Sequence, residues 1–478
     1  MDRRSGCTAI VLAATAWLAI GCTSGPAPTA AKAAERKPNF LLIVADDLGY
    51  SDLGAYGGEI ATPNLDRLAR SGATMTQFYA SPFCSPTRAM LMSGTDNHQA
   101  GFGDMAELML PEQRGKPGYE GFLNQRVFAL PEVLKTAGYR TVMAGKWHLG
   151  VAEEQSPAAR GFDRSYAMVQ GGASHFGDQA GIVAVDPTKP PKAIYRENGK
   201  AVDTPRQGFF SSEAFASRVI QYLDETKGDG SKPFFAYLAF TAPHWPLHAP
   251  DADIAKYENR YDAGYDALRG ERLERMKKLG LVPAATTAYR GHPHWPTWER
   301  LPAEQKRSEA RRMAVYAAMV DHMDRQIGRV LKHLESSGEL DNTVVVFISD
   351  NGADGNSVYD VARTREWVHK DMDNSTANLG RPGSFIEYGP GWAQVGSTPL
   401  NLYKSFMYEG GISVPAIFWS PRQGIAAQQR TQVGHVMDIA PTIYEMAGAR
   451  HPGTSHQGRA LLPVKGRSLV AYLQGKQA

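Results

Sequence analysis

The 478-residue chain is long enough for one large α/β domain or two medium ones, and too long to depend on disulfide staples. Apolar residues make up 42% and charged residues 21%, which excludes both a disordered chain and a membrane bundle. There are 52 basic and 49 acidic side chains, a net +3 with no basic block, so nucleic acid is not an expected partner; three cysteines (Cys7, Cys22, Cys84) cannot make a disulfide framework.

In chain order, Arg3 and Arg4 precede a charge-free apolar run from Cys7 to Ile20, too short for a membrane span and suited to a secretory h-region. Ala19-Ile20-Gly21-Cys22 resembles a bacterial lipoprotein cleavage site. Residues 1–22 are therefore expected to be a lipoprotein-type signal peptide, with an ordinary signal peptide as the alternative. Residues 23–38, rich in Ala, Pro, Thr and Ser, would form a flexible tether, and residues 39–478 the folded domain. The expectation is an exported protein, periplasmic or anchored to the outer membrane of a bacterium, meeting the membrane only through a lipid. Cys84 then remains as an odd thiol in an export compartment. Nothing in the sequence fixes an oligomeric state.

Beyond the tether, short apolar runs alternate with helical patterns, which predicts a large, mostly parallel sheet flanked by helices on both faces. Phe40 to Ala45 reads as a buried strand. Thr62-Pro63 starts a helix that Gly72 stops. A helix from Pro131 to Ala137 leads through Gly138 into a strand from Tyr139 to Ala144, and Phe234 to Phe240 forms another strand. Met313, Tyr316, Val320, Met323, Ile327, Val330 and Leu334 mark one long helix between about Glu304 and Ser336. Thr343 to Ile348 and Val414 to Trp419 read as further strands.

The strands end abruptly in polar residues: Asp46-Asp47, Lys146-Trp147-His148, Pro243-His244 and Asp350-Asn351. Taken singly, each is ordinary turn chemistry. Ligands of open parallel sheets bind outside the carboxyl ends of the strands, so adjacent ends of this composition would build a site. Asp46, Asp47, Asp350 and Asn351 offer oxygen donors only, which favours Ca²⁺ or Mg²⁺ over zinc. Cys84 to Gly94 reads as a short helix with Cys84 at its N-terminus, a position that by itself suggests a low-pKa thiolate. Arg88, four residues on, shares its face.

Cys84-Ser85-Pro86-Thr87-Arg88 with Ser93-Gly94 resembles the signature of the sulfatase family, in which the cysteine is oxidised after translation to formylglycine. Gly138 to His148, Asp46-Asp47, Ala242-Pro243-His244-Trp245-Pro246, Asp350-Asn351-Gly352 and Lys404 with Glu409-Gly410-Gly411 are similar to the family's other motifs, in the order found in bacterial arylsulfatases. The resemblance runs from about Pro38 to Leu473 and implies the alkaline phosphatase-like fold and a sulfuric ester hydrolase. It implies one calcium ion held by Asp46, Asp47, the modified Cys84, Asp350 and Asn351. One hydroxyl of the aldehyde hydrate would attack sulfur and the other would expel sulfate by reforming the carbonyl. Arg88 and Lys146 would orient the hydrate and the sulfate, His148 would act as base on the second hydroxyl, and His244 and Lys404 would serve the departing oxygen. The implied partners are a small-molecule or glycan sulfate ester and a formylglycine-generating maturation enzyme.

Charge agrees with that implication. Asp46, Asp47 and Asp350 contribute minus three, a dication and the cations Arg88, Lys146 and Lys404 bring the total to plus two, and a bound sulfate ester leaves plus one. The alternatives are a phosphonate or phosphodiester hydrolase of the same superfamily, and an inactive surface-binding homologue with an intact thiol. Relatives continue past Leu473 into a small antiparallel subdomain, so this element is expected to be shortened or missing, leaving apolar surface exposed. His248, His292, His294 and His322 are expected to be structural or solvated. Trp245, Trp295 and Trp392 are candidate pocket walls, and residues 170–205, 251–303 and 353–398 candidate pocket-forming loops.

Overall fold

In the computed structural model, residues 36–182, 191–204, 207–228, 232–357 and 362–476 are described; Cys7, Cys22, the expected signal peptide and the tether up to residue 35 lie outside them. Every residue of strand β1 (Asn39–Ala45) is buried. Leu41 and Ile43 face one apolar core while Phe40, Leu42 and Val44 face another. A strand covered on both sides needs an unbroken apolar run, and NFLLIVA supplies it.

Strands β2 (Ala73–Met75), β3 (Arg140–Lys146), β4 (Arg164–Met168), β5 (Tyr195–Glu197) and β6 (Lys200–Val202) share this sheet with β7 (Phe234–Ala239), β8 (Thr343–Ser349), β9 (Ala416–Trp419) and β10 (Gln428–Arg430). The spatial order is β10-β2-β9-β8-β1-β7-β3-β4-β5-β6. The central run β8-β1-β7-β3-β4 is parallel throughout, whereas β9 and the β5–β6 hairpin pair antiparallel. Helices Pro63–Ser71, Ser211–Glu225 and Ala303–Ser336 cover one face; Cys84–Ser93, Leu130–Thr136 and Ile439–Ala447 cover the other. The mostly parallel, doubly covered sheet read from the sequence is therefore the observed architecture.

All three long loops hold regular structure, 353–398 through helices Ala362–Asp371 and Gly389–Gly396. The β5–β6 hairpin falls within 170–205, and helix Gly264–Lys278 lies within 251–303. That helix escapes a periodicity reading because its buried face carries Arg269 and Arg272 among Leu268, Leu273 and Met276. Arg272 is fully buried and bridges Asp52 and Glu59, with Nε 2.8 Å from Glu59 Oε2. Arg272→Met should destabilise the fold by about 3–5 kcal/mol, because it strands two buried carboxylates. Chemical denaturation of the variant measures the loss.

Near the C-terminus, where the antiparallel subdomain is expected to be shortened or missing, Ser455–His456 and Arg459–Ala460 form a small two-stranded antiparallel ribbon. Val470–Leu473 then adds a helical turn against the β10 side of the sheet, where Arg430 Nη2 donates to Leu473 O at 3.0 Å and Gln432 N to the Tyr472 hydroxyl at 2.8 Å. Leu469, Val470, Tyr472 and Leu473 are buried, so the expected apolar exposure is not observed there; Val433, 59% exposed, is the exception near this edge. Among the described residues no helix is long and apolar enough to cross a membrane.

Candidate active site

Register brings the polar strand ends together. Ala45 of β1 pairs with Ser349 of β8, Val44 with Ala239 of β7, and Gly145 of β3 also with Ala239. Four neighbouring parallel strands thus stop at one level and deliver Asp350-Asn351, Asp46-Asp47, His244, and Lys146 with His148. The N-terminus of helix Cys84–Ser93 adds Cys84 and Arg88, and the loop through Ser405 adds Lys404, anchored by Ser405 N donating to Pro82 O at 3.0 Å. All ten expected site residues meet here, each at most 5% exposed.

The backbone turns sharply to bring this about. Asp47 (φ 67°) and His148 (φ 55°) occupy the left-handed region that residues with a Cβ rarely adopt. Such conformations cost on the order of 1–3 kcal/mol each and persist where the surroundings dictate them. Gly352 is required for another reason: a Cβ there would lie 1.8 Å from the Gly410 carbonyl oxygen. That close approach locks Asp350-Asn351-Gly352 against Glu409-Gly410-Gly411.

Each carboxylate is met by a cation. Lys146 Nζ lies 2.8 and 2.7 Å from the two oxygens of Asp46. Lys404 Nζ is 2.8 Å from Asp47 Oδ1 and 3.1 Å from Asp354 Oδ2. Arg88 grips Asp350 Oδ2 through Nε at 2.9 Å and Nη2 at 2.8 Å, and its Nη1 donates to Lys146 O at 3.0 Å. Burial alone would lower the Lys404 ammonium, but Asp354 and Asp47 hold it well above its ordinary value. Asp354 was not among the expected site residues. It amends the charge arithmetic: four buried carboxylates face three buried cations, a net minus one before any dication.

The donor set suits a cation. One ligand atom each from Asp46, Asp47, Cys84 and His244 lies within 4.8 Å of the others. Asn351 Nδ2 donates to Asp47 Oδ1 at 2.6 Å, while its Oδ1 is buried without a partner, as an oxygen reserved for a hard ion would be. The sequence reading of oxygen donors with no imidazole alongside needs correction, because the fold sets His244 Nε2 3.4 Å from Asp47 Oδ2. His244 Nδ1 is hydrogen-bonded to the Trp245 carbonyl. Burial, Lys404 and Lys146 hold its pKa well below the usual value, so the imidazole is neutral at neutral pH.

The thiolate suggested by the helix terminus is not what the site produces. Cys84 Sγ sits 3.6 Å from Asp46 Oδ1 and 3.8 Å from Asp47 Oδ1. Burial pushes the thiol well above its ordinary pKa, and Lys146 and Lys404 do not reverse this. An unmodified Cys84 is therefore a protonated thiol, a poor nucleophile.

Other expectations sort by contact. Trp245 belongs to the site: its Nε1 donates to Asp354 Oδ2 at 2.9 Å. Trp392 is fully buried, with Nε1 donating to Glu309 O, and is core rather than pocket wall. Trp295 stacks on Tyr403 at 5.4 Å, next in sequence to Lys404. His248 and His322 are buried structural groups, bonded to the Ser384 carbonyl and to Asp253. His292 and His294 are exposed. Besides Asp354, the sequence reading missed Glu107, whose Oε1 lies 3.1 Å from His148 Nε2, and Gly171-Gly172, which pack on the two imidazoles. Asp354, four residues beyond Asp350, was open to suspicion as a further acid of the same strand end; Glu107 lies in a stretch without pattern.

Residues 38–449 match the family model named Sulfatase. The chain is 47% identical over 459 residues to an uncharacterized sulfatase of Schizosaccharomyces pombe, covering 93% of this chain and 81% of the relative. It is 40% identical over 450 residues to an arylsulfatase of Klebsiella aerogenes, covering 93% and 94%. Among solved structures it resembles Ps i-CgsB in complex with k-i-k-neocarrahexaose, at 26% identity and a TM-score of 0.63, covering 92% of this chain and 77% of that one.

Proposed function

We propose that this chain, which belongs to the sulfatase family and is a sulfuric ester hydrolase, splits aryl, alkyl or carbohydrate sulfates with a carbonyl hydrate made from Cys84, beside one calcium ion. The observation that carries the reading is the convergence of four adjacent strand ends and one helix N-terminus on a buried cradle of three ion pairs around Cys84. The similarity to an arylsulfatase supports an aryl alcohol, and the similarity to Ps i-CgsB, solved with a neocarrahexaose, supports a glycan.

Asp46, Asp47, Asp350, Asn351 and the modified residue 84 would hold the ion, which when bound would supply two positive charges and Lewis acidity toward sulfate oxygens. Arg88, with Nε, Nη1 and Nη2 all engaged, keeps the Asp350 carboxylate aimed at the centre. Lys146 does the same for Asp46, and both cations offset charge that builds on the sulfuryl oxygens. Lys404, held protonated by Asp47 and Asp354, is the group beside the site that can give a proton to the departing oxygen, with the neutral His244 next to it. His148 takes the proton of the second hydroxyl at position 84 as the carbonyl reforms and sulfate leaves. The reading includes export through the N-terminal segment to the periplasm or outer membrane, and maturation of Cys84 by a formylglycine-generating enzyme.

Attack at sulfur leaves the ester's C–O bond intact. Turnover of an aryl sulfate in ¹⁸O-water should therefore place the label in the released sulfate and none in the phenol. Label in the phenol would overturn the proposal.

A further inference from the structure

Outside the family motifs, the segment 101–129 sends one acidic side chain, Glu107, into the site. Glu107 Oε1 and Oε2 lie 3.1 and 3.3 Å from His148 Nε2. The other ring nitrogen, Nδ1, is buried and has no hydrogen-bond partner. Gly171 closes over the pair: a Cβ there would come within 2.9 Å of His148 Cε1, 3.0 Å of Nε2 and 3.4 Å of Glu107 Oε1. His148 is also held at φ 55°, so its ring is fixed by the backbone on one side and by Glu107 on the other.

We propose that Glu107 is the positioning residue of this site: it accepts the Nε2–H of His148, fixes that tautomer, and leaves the Nδ1 lone pair as the base. A carboxylate that binds one imidazole nitrogen determines what the other can do, as in carboxylate–histidine pairs at catalytic and metal centres generally. Burial alone would raise the Glu107 carboxyl, but His148 holds it down at about 2, so the carboxylate is ionised at working pH. Burial lowers His148 against the pull of Glu107, which keeps the ring neutral and able to accept a proton.

The inference rests on the reading of His148 as the base, and the test separates the two. Wild-type turnover of an aryl sulfate tests the sulfatase reading alone. Glu107→Gln should then lower kcat by about 10²-fold with KM little changed and melting temperature unaltered, and Glu107→Asp should recover part of the loss. In ¹⁵N-histidine-labelled protein, with His148→Gln used for assignment, His148 should appear as the Nε2–H tautomer in the wild type and as a mixture in Glu107→Gln. An active wild type beside a Glu107→Gln variant with full kcat or an unchanged His148 spectrum would overturn the positioning role and leave the sulfatase reading intact.

Discussion

Cys84→Ala is expected to lower aryl sulfate turnover by about 10⁴-fold or more while leaving the melting temperature nearly unchanged. The side chain is 1% exposed, yet two carboxylate oxygens, at 3.6 and 3.8 Å, are its polar neighbours, so truncation removes little apolar packing. The same logic predicts that protein made without maturation will be as inactive as the alanine variant. Its thiol is raised by burial and stays protonated, and a thiol bound to sulfuryl would in any case be hard to release by hydrolysis. The proposed hydrate would carry two hydroxyls on one carbon, one to attack and one to expel, which no single-headed side chain offers. Mass spectrometry of the peptide spanning residue 84 reports the sulfur directly. Turnover should scale with the fraction that has lost it, and undiminished activity in Cys84→Ala would end the assignment.

Much of this site was legible because strand termini in a parallel sheet are marked in sequence by an abrupt change from apolar to charged. Ala45 to Asp46 and Ser349 to Asp350 are such changes, and both fall where β1 and β8 stop. Adjacency was not legible. The sheet order β8-β1-β7-β3 joins segments far apart in the chain, the hydrogen bond from Asp47 N to Asp350 Oδ1 spanning 303 residues, and nothing local encodes that. Glu107 was invisible for a related reason, since an acid in a glycine-rich stretch resembles a solvated loop until the fold places His148 beside it. The Cys84 thiolate was misread because a helix N-terminus offers only a partial charge, whereas complete burial next to Asp46 and Asp47 penalises a new anion far more. Trp392 was misread because its polar edge meets a carbonyl inside the core, Glu309 O at 3.0 Å, and so needs no pocket.

Removing the divalent ion should cost about 10³-fold in kcat/KM, several kcal/mol of transition-state charge stabilisation, and calcium should restore it. Asp46, Asp47, Asp350 and Asp354 together outnumber Arg88, Lys146 and Lys404 by one charge, and all seven side chains are buried. Without the ion, a sulfate ester would enter a site of its own sign, with the lysines drawn onto Asp46 and Asp47 and held away from sulfate. Glu107, ionised beside the neutral His148, adds a fifth negative charge, so a dication brings the site to neutral and the ester no longer meets a site of its own sign. An ion that binds the folded state alone, at a hundredfold excess over its Kd, should stabilise the protein by about 2.7 kcal/mol, seen as a calcium-dependent rise in melting temperature. Asp47→Asn separates this from nonspecific salt effects. It deletes one ligand charge and relieves repulsion with Asp354, Asp46 and Asp350, so the ion-free protein should melt no lower than the wild type. The same variant should lose both the calcium-dependent rise and the activity. A wild type whose melting temperature and turnover ignore chelator would show that the cradle works by its own cations, and the calcium assignment would fall.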